Sequence, residues 1–187
     1  LVAEGASLVD VGGESTRPGA APVDEDEELR RLLPAIEGLV AEGVALSVDT
    51  YKPAVARRAL AEGVRVVNDV TGFSDEAMVE VAASSDCGVV AMHMRGTPAD
   101  MAQAPPYEDV VAEVEGHLLE SARRLMDAGV ARERIALDPG IGFGKRAKDS
   151  LRLLAGLDRL AGHGFPVMIG TSRKGFLGRL IGSEDLL

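Results

Sequence analysis

The sequence alternates along its whole length between stretches typical of helices that end in glycine and short apolar runs that follow them. The tripeptide Ala-Glu-Gly recurs at 3–5, 41–43 and 61–63, and glycines 88, 129 and 164 stand at similar junctions. Glycine readily takes the left-handed conformation at which helices end. The apolar runs are rich in β-branched residues on both faces, which is typical of strands buried between helices. They lie at 8–11, 45–48, 65–67, 89–92, 135–137 and 167–169.

Strands that alternate strictly with helices predict a parallel sheet, either closed as a β/α barrel or open as a doubly wound fold. The predicted helices lie at 24–41, 52–61, 74–83, 107–128 and 148–161. Repeats of even length favour a TIM-type (β/α)8 barrel, and so do polar residues after almost every strand, because an open sheet concentrates its site at one switch point. A complete barrel has eight strands, and we predict that six of them are represented in this chain.

Composition limits the class of protein. The 187 residues, 46% of them hydrophobic, suit one domain with a single core. No apolar run approaches the roughly 18 residues of a membrane span, and the N-terminus does not resemble a signal peptide. The first five residues lack an initiator methionine and look like the last turn of a helix, so we expect the natural N-terminus to lie upstream.

Charge and the rarer residues exclude further classes. The single cysteine, Cys87, excludes an internal disulfide and is typical of a reducing compartment, so we expect a soluble, cytoplasmic protein. Three scattered histidines have no zinc spacing, which argues against a metal held by the protein. We interpret His93, which ends a predicted strand, as a structural residue rather than a base. The net charge of −10 argues against nucleic acid and anionic membranes as partners.

A glycine-rich stretch at 138–145 follows the fifth predicted strand. It places the carboxylate of Asp138 at the strand end, and its glycines allow a ligand to approach the backbone closely. Phe143 lies between two of these glycines, where its ring is either a folded-back plug or the wall of a ligand site. The spacing is one residue too short for a phosphate-binding P-loop, and Arg146 stands in place of the Ser or Thr that would bind magnesium. The stretch therefore predicts a strand-end site of another kind.

Polar residues at other strand ends suit a flat heterocycle. Asp49, Asn68 and Asp138 accept or exchange hydrogen bonds, and Lys174 adds a positive donor. Buried polar edges of a ligand each require such a partner. The alternative is that the aspartates only cap the helices that follow. That alternative explains Asn68 less well, because asparagine disfavours strands.

Two segments suggest anion binding. In the loop at 12–19, Thr16 and Arg17 precede Pro18 between glycines, which suits a phosphate or pyrophosphate, although an ordinary surface loop is the alternative. At 171–175, Ser172 either caps the helix that begins near residue 176 or binds a carboxylate beside its positive end. Arg173 and Lys174 add positive charge there for an anionic substrate.

Six segments, in this order across nearly the whole chain, together resemble bacterial dihydropteroate synthase. They are DVGGESTRPG at 10–19, SVDT at 47–50, VND at 67–69, MHMRGTP at 92–98, LDPGIGFGK at 137–145 and GTSRKG at 170–175. The resemblance implies a single pterin-binding β/α barrel domain over 1–187. It also implies a folate-pathway transferase, a sulfonamide target, that joins para-aminobenzoate to 6-hydroxymethyl-7,8-dihydropterin pyrophosphate. By the same resemblance we expect a homodimer that uses Mg²⁺ associated with its substrate.

The resemblance also implies roles for particular residues. In the family mechanism pyrophosphate leaves first, and carboxylates stabilise the pterin cation that the amine attacks. The family's metal-binding asparagine would lie before Leu1 and its last strand after Leu187, so we expect no metal ligand in this chain. The implied contacts are Asp49, Asn68, Met92, Asp138 and Lys174 for the pterin, Thr16 and Arg17 for pyrophosphate, and Pro18, Phe143, Ser172 and Lys174 for aminobenzoate. Those implied in catalysis are Asp49, Asp138, Lys174 and Arg17.

Two other functions remain open. One is a pterin-binding methyltransferase domain of the corrinoid-dependent kind, which shares the barrel and the carboxylates. The segments STRP at 15–18 and SRK at 172–174 argue against it, because methyl transfer requires neither a pyrophosphate nor an aminobenzoate pocket. The other is a non-catalytic pterin-binding homologue.

Overall fold

The computed structural model describes residues 1–17, 19–172 and 174–182, and its centre is one sheet of parallel strands. Neighbouring strands in the chain are also neighbours in the sheet, in the order β1-β2-β3-β4-β5. A doubly wound sheet would reverse this order at its switch point, so the order is that of a β/α barrel wall, as predicted. The strands are β1 (Val9–Gly12), β2 (Leu46–Asp49), β3 (Val66–Asp69), β4 (Gly88–Met92) and β5 (Ile135–Asp138).

The sixth predicted strand is reduced to a single bridge. Val167 pairs with Leu137 of β5 in parallel, supported by two backbone hydrogen bonds. The N–H of Leu137 donates to the carbonyl of Pro166 at 2.9 Å, and the N–H of Met168 donates to Leu137 at 3.0 Å. The segment occupies the next position of the wall without forming a ladder.

Helices connect the strands, and several begin where an aspartate caps them. Asp24 and Asp75 accept the backbone N–H groups of Glu27 and Ala77, each at 2.8 Å. The helix predicted at 107–128 begins at Val110 because Asp109 caps it. The helices are α1 (Glu25–Ala41), α2 (Pro53–Ala61), α3 (Glu76–Ala83), α4 (Val110–Asp127), α5 (Ala147–Ala155), α6 (Leu157–Ala161) and α7 (Gly175–Ile181). Within the described ranges, none of them is both long and apolar enough to cross a bilayer.

Two local predictions were wrong. The helix predicted at 148–161 is two helices, α5 and α6, separated at Gly156. Gly88 does not end a helix, because α3 ends at Ala83 and Gly88 is already the first residue of β4. The other predicted junction glycines, at 5, 43, 63, 129 and 164, do have a positive φ.

The two faces of the sheet carry different side chains, because successive residues of a strand point to opposite faces. The outer face packs against the helices through buried residues of the main core, which include Leu46, Val48, Val67, Val89 and Leu137. The inner face carries the alternate set, in which polar groups are frequent. The inner set includes Asp10, Ser47, Asp49, Asn68, Met92 and Asp138.

Candidate functional site

Two unsatisfied acceptors lie side by side on the inner face. Asp49 of β2 is in register with Asn68 of β3, and Gly12 of β1 lies on its other side. A Cβ on Gly12 would lie 3.4 Å from the Cβ of Asp49, so glycine leaves room for the carboxyl group. Asp49 Oδ1 and Asn68 Oδ1 are both buried without a hydrogen-bond partner among the described residues. Buried acceptors of this kind suit a ligand that brings N–H donors.

The protonation of Asp49 is strongly perturbed. Burial, followed by the negative charges of Asp10 and Asp69, raises the pKa of Asp49 to about 8. A carboxyl group normally titrates near pH 4, so an inner face crowded with carboxylates holds this proton well into the neutral range.

Asp138 ends β5 and turns into the glycine-rich stretch. Its Oδ1 accepts the N–H of Gly140 at 2.7 Å, and its side chain is 5% exposed. Burial raises the pKa of Asp138, while the Gly140 N–H and the ammonium groups of Lys145 and Lys174 oppose that shift. One carboxyl oxygen is therefore used to shape the turn, and the second makes no hydrogen bond to another described residue.

The glycine-rich loop, residues 138–145, is closed by a lysine. Lys145 Nζ donates to the carbonyl oxygens of His93, Gly140 and Phe143 at 3.0, 2.9 and 3.2 Å. Gly140 has a φ of 65°, and a Cβ there would overlap the His93 carbonyl oxygen. Burial lowers the pKa of Lys145 to about 7. Lys145 was not predicted to have a role, and its sequence signal is only that it is a lysine directly at the end of a glycine-rich loop.

A cleft of about 770 Å³ opens beside this loop. Phe143 forms a wall of it and packs against a cluster that includes Met92 and Met101, so its ring is not a plug folded into the main core. Lys174 Nζ lies 4.4 Å from the centroid of the Phe143 ring. Burial lowers the pKa of Lys174, and Asp138 opposes that shift. The predicted residues that line the cleft are Thr16, Arg17, Phe143, Ser172 and Lys174.

The structure contradicts the alternative in which the polar residues only cap helices. The residues that precede α2, α5 and α7 provide no side-chain cap. Asp49, Asp138 and Ser172 are not the N-cap residues of these helices. The side chains of Asp49 and Asp138 lie on the inner face, and Ser172 lines the cleft.

The loop after β1 is anchored through Glu14. The carboxylate of Glu14 accepts hydrogen bonds from the Val23 N–H at 2.8 Å, the Tyr51 hydroxyl at 2.7 Å and Lys52 Nζ at 2.6 Å. Burial opposes ionisation of Glu14, yet these donors together hold its pKa below the usual range. The base of the loop is thus tied to the segment that follows β2.

The far end of the same loop contacts the connection between β4 and α4. The N–H of Gly19 donates to the carbonyl of Pro98 at 2.9 Å. Thr16 and Arg17 lie between this contact and the Glu14 anchor, and both line the cleft. Pro18, predicted to bind aminobenzoate, lies outside the described residues, as does Arg173.

His93 lies in the packing between β4 and α4. Its ring is 3% exposed and lies edge-on to His117, with centroids 4.9 Å apart. Burial lowers the pKa of His93 to about 2. Its backbone N–H donates to the Asp138 carbonyl at 2.9 Å and links the end of β4 to β5, while its buried imidazole is neutral.

Comparisons with known proteins find relatives that match nearly the whole chain. A family model described as pterin binding enzyme matches residues 1–186. The dihydropteroate synthase of Escherichia coli (strain K12) is 42% identical over 182 residues, which are 97% of this chain and 64% of that protein. The chain thus spans just under two thirds of that relative's length.

Solved structures agree with the fold. The crystal structure of dihydropteroate synthase from Thermus thermophilus in complex with 4-aminobenzoate superposes with a TM-score of 0.93 at 49% identity, over 99% of this chain and 70% of that one. The enzyme from Xanthomonas albilineans in complex with 7,8-dihydropteroate gives a TM-score of 0.87 at 43% identity, over 98% of this chain and 64% of that one.

Proposed function

The chain belongs to the family of pterin-binding enzymes, and we propose that its site serves the dihydropteroate synthase reaction. In this reaction para-aminobenzoate replaces the pyrophosphate of 6-hydroxymethyl-7,8-dihydropterin pyrophosphate. One observation carries the proposal: Lys174 lines a cleft that also contains Arg17, and its charge interacts with Asp138 on the inner face, where Asp49 and Asn68 have unsatisfied acceptors. A substrate with a donor-rich ring at one end and a diphosphate at the other suits that distribution of charge.

The pterin would occupy the inner face. Asp49 and Asn68 each leave a buried oxygen without a partner, and pterin ring N–H and amino groups are donors that satisfy such oxygens. Asp138 offers a further acceptor at the next strand end, and Met92 provides apolar contact. The relative from Xanthomonas albilineans binds 7,8-dihydropteroate, which contains this ring, and that supports the same location here.

The aminobenzoate and the diphosphate would share the cleft. The ring of Phe143 gives a flat apolar wall beside the Lys174 ammonium, and Ser172 offers a hydroxyl for the aminobenzoate carboxylate. Pro18 would complete that pocket. Thr16 and Arg17 would bind the diphosphate through a hydroxyl and a guanidinium. The relative from Thermus thermophilus binds 4-aminobenzoate, which supports the first part of this arrangement.

The chemical step requires little proton transfer. The bond between the pterin methylene carbon and the diphosphate oxygen breaks, and its electron pair leaves with pyrophosphate. The lone pair of the neutral arylamine then forms the new C–N bond, and the amine loses a proton to water. Asp138, and Asp49 once it has lost its proton, would stabilise the cation as it develops, while Arg17 and Lys174 stabilise the leaving group.

Three further proposals rest on the family resemblance. They are a homodimer, a cytoplasmic location and Mg²⁺ associated with the diphosphate. Among the described residues, no three or more His, Cys, Asp or Glu side chains are grouped to hold a metal ion. The Mg²⁺ is proposed as an ion bound to the diphosphate, and no step is assigned to it.

The test is pyrophosphate release that depends on para-aminobenzoate and is blocked by a sulfonamide. In the same assay we expect Ser172→Ala to raise the KM for aminobenzoate about tenfold, since a charge-assisted hydrogen bond contributes roughly 1.5 kcal/mol, with little change for the pterin substrate. Ser74→Ala, at an exposed serine outside the cleft, is the matched control. Pterin binding without any pyrophosphate release would instead favour a non-catalytic or methyltransferase role.

A further inference from the structure

Asp10 is a carboxylate on the inner face that none of the proposed contacts uses. It accepts the Ser47 hydroxyl at 2.5 Å through Oδ1 and the Asn68 side-chain Nδ2 at 3.2 Å through Oδ2. Ser47 and Asn68 are 3% and 8% exposed, whereas Asp10 itself is exposed, so Asp10 holds these two buried side chains from the solvent side. Asp10 and Ser47 are register partners on adjacent strands, and their contact is therefore set by the sheet itself.

The chemistry of these groups fixes which way the Asn68 amide faces. An asparagine side chain has donors on its nitrogen and acceptors on its oxygen, whereas an ionised carboxylate only accepts. Nδ2 must therefore face Asp10, because the reversed amide would set its oxygen against the Oδ2 atom of that carboxylate. Ser47 holds Asp10 in turn by donating its only proton to it.

This orientation determines the environment of the amide oxygen, Asn68 Oδ1. With Nδ2 turned toward Asp10, Asn68 Oδ1 points elsewhere, and it is buried without a hydrogen-bond partner among the described residues. An acceptor in that state strongly favours a ligand group that donates, and penalises one that also accepts. The neighbouring Asp49 Oδ1 is in the same condition.

We propose that Asp10 is a positioning residue that holds Asn68 with its oxygen toward the ligand, so that the site selects a heterocycle presenting an N–H or amino donor there. The ligand class rests on the proposed function, whereas the orientation of the amide does not. Asp10 itself need not touch the ligand.

A double-mutant cycle on the whole protein tests whether Asp10 acts through Asn68. The variants are Asp10→Ala, Asn68→Ala and the pair, and the measurement is the Kd for 7,8-dihydropteroate. We expect Asp10→Ala to weaken binding by about 5- to 30-fold in the wild-type background, and by less than about twofold when Asn68 is already alanine. Asp10→Asn keeps an acceptor for Nδ2, so it should recover much of the affinity.

A loss that persists undiminished in the Asn68→Ala background would overturn the inference, because Asp10 would then act on the fold or on the ligand directly. The KM for para-aminobenzoate is the control, since a general structural defect would change it as well, and we expect it to stay within about twofold.

A second measurement separates this inference from the proposed function. In the ligand-free protein, the side-chain NH₂ protons of Asn68 should give two resolved, slowly exchanging NMR signals. In Asp10→Ala, their chemical shifts and exchange rates should approach those of an unconstrained asparagine. If the wild type shows these signals but binds no dihydropteroate, the proposed function fails and the role of Asp10 stands. If the signals are unchanged in Asp10→Ala, the role of Asp10 fails whatever the ligand.

Discussion

At the scale of single residues, Asp49 links stability to function most directly. Its pKa is raised to about 8 because burial and neighbouring carboxylates disfavour its charge. The folded protein thus binds this proton more tightly than the unfolded chain does. The stability that the group contributes is present at low pH and is lost as pH rises from about 4 through about 8.

Asp49→Asn should therefore stabilise the protein in alkaline solution while weakening its site. We expect the increase in the free energy of unfolding to be at least about 1 kcal/mol larger at pH 8.5 than at pH 5, since one pKa unit corresponds to about 1.4 kcal/mol. Affinity for 7,8-dihydropteroate should fall. Urea titration at both pH values measures the first effect, and Asp86→Asn, at an exposed aspartate, is the control. Equal stabilisation at the two pH values would contradict the assignment.

The polar residues at the strand ends were predictable from sequence, but the residues that hold them and their loops in place were not. Asp49, Asn68 and Asp138 were identified because polar residues directly after apolar runs are uncommon and meet at one end of a parallel sheet. Asp10, Glu14 and Lys145 received no role, because each acts through a partner distant in the chain. Lys145, for example, bonds a carbonyl 52 residues away.

At the scale of elements, the glycine-rich loop at 138–145 depends on one side chain for its shape. Lys145 satisfies three carbonyl groups that the loop and the end of β4 turn toward it. The same loop carries Asp138 and Phe143, the two residues that we propose contact the ligand.

Lys145→Met should loosen that loop. We expect a loss of roughly 2 kcal/mol in stability, because buried carbonyls left without a donor each cost about 1 to 3 kcal/mol and some regain water. The KM values for both substrates should rise together, since one loop carries a residue for each. Thermal unfolding followed by circular dichroism and steady-state kinetics measure the two effects. Lys148→Met, at an exposed lysine of α5, should leave both unchanged, and a similar effect from the two variants would exclude the role of Lys145.

The predicted element boundaries were wrong where tertiary contacts determine them. The periodic pattern at 148–161 continues through Gly156, yet the helix breaks there. A Cβ on Gly156 would lie 3.3 Å from the side chain of Val111 on α4, so the break lies where the two helices pack closely. The strand at 167–169 was predicted from its apolar, β-branched residues. That composition does not determine how many of these residues form hydrogen bonds with a neighbouring strand.

At the scale of the whole molecule, the net charge of the chain and the charge of the basic side chains in the cleft have opposite signs. The chain carries a net charge of −10, whereas Arg17 and Lys174 face the cleft. The diphosphate of the proposed substrate would thus be repelled at long range and attracted at short range. Dissolved salt screens the long-range field over about 10 Å at 0.1 M, and it affects the near contacts less.

Arg17→Gln should make the long-range repulsion between the negatively charged protein and the diphosphate measurable, because it removes a short-range attraction. We expect association of the dihydropterin pyrophosphate with the wild type to change by less than about twofold between 20 and 200 mM salt, and association with the variant to accelerate by about two- to threefold. Stopped-flow binding measures both rates. Arg57→Gln removes the same charge from an exposed helical site outside the cleft and should behave as the wild type does. Identical salt dependence in the two variants would show that net charge alone governs association.

The alternation of the inner and outer faces along each short strand has a consequence for how such a protein can change. Side chains that face the ligand and side chains that hold the core are interleaved within the same four or five residues. Adding or deleting one residue within β2 would exchange the two sets and turn the Asp49 carboxyl group into the core. Natural variation of this site should therefore proceed by substitution within the strands, with changes of length confined to the connecting loops.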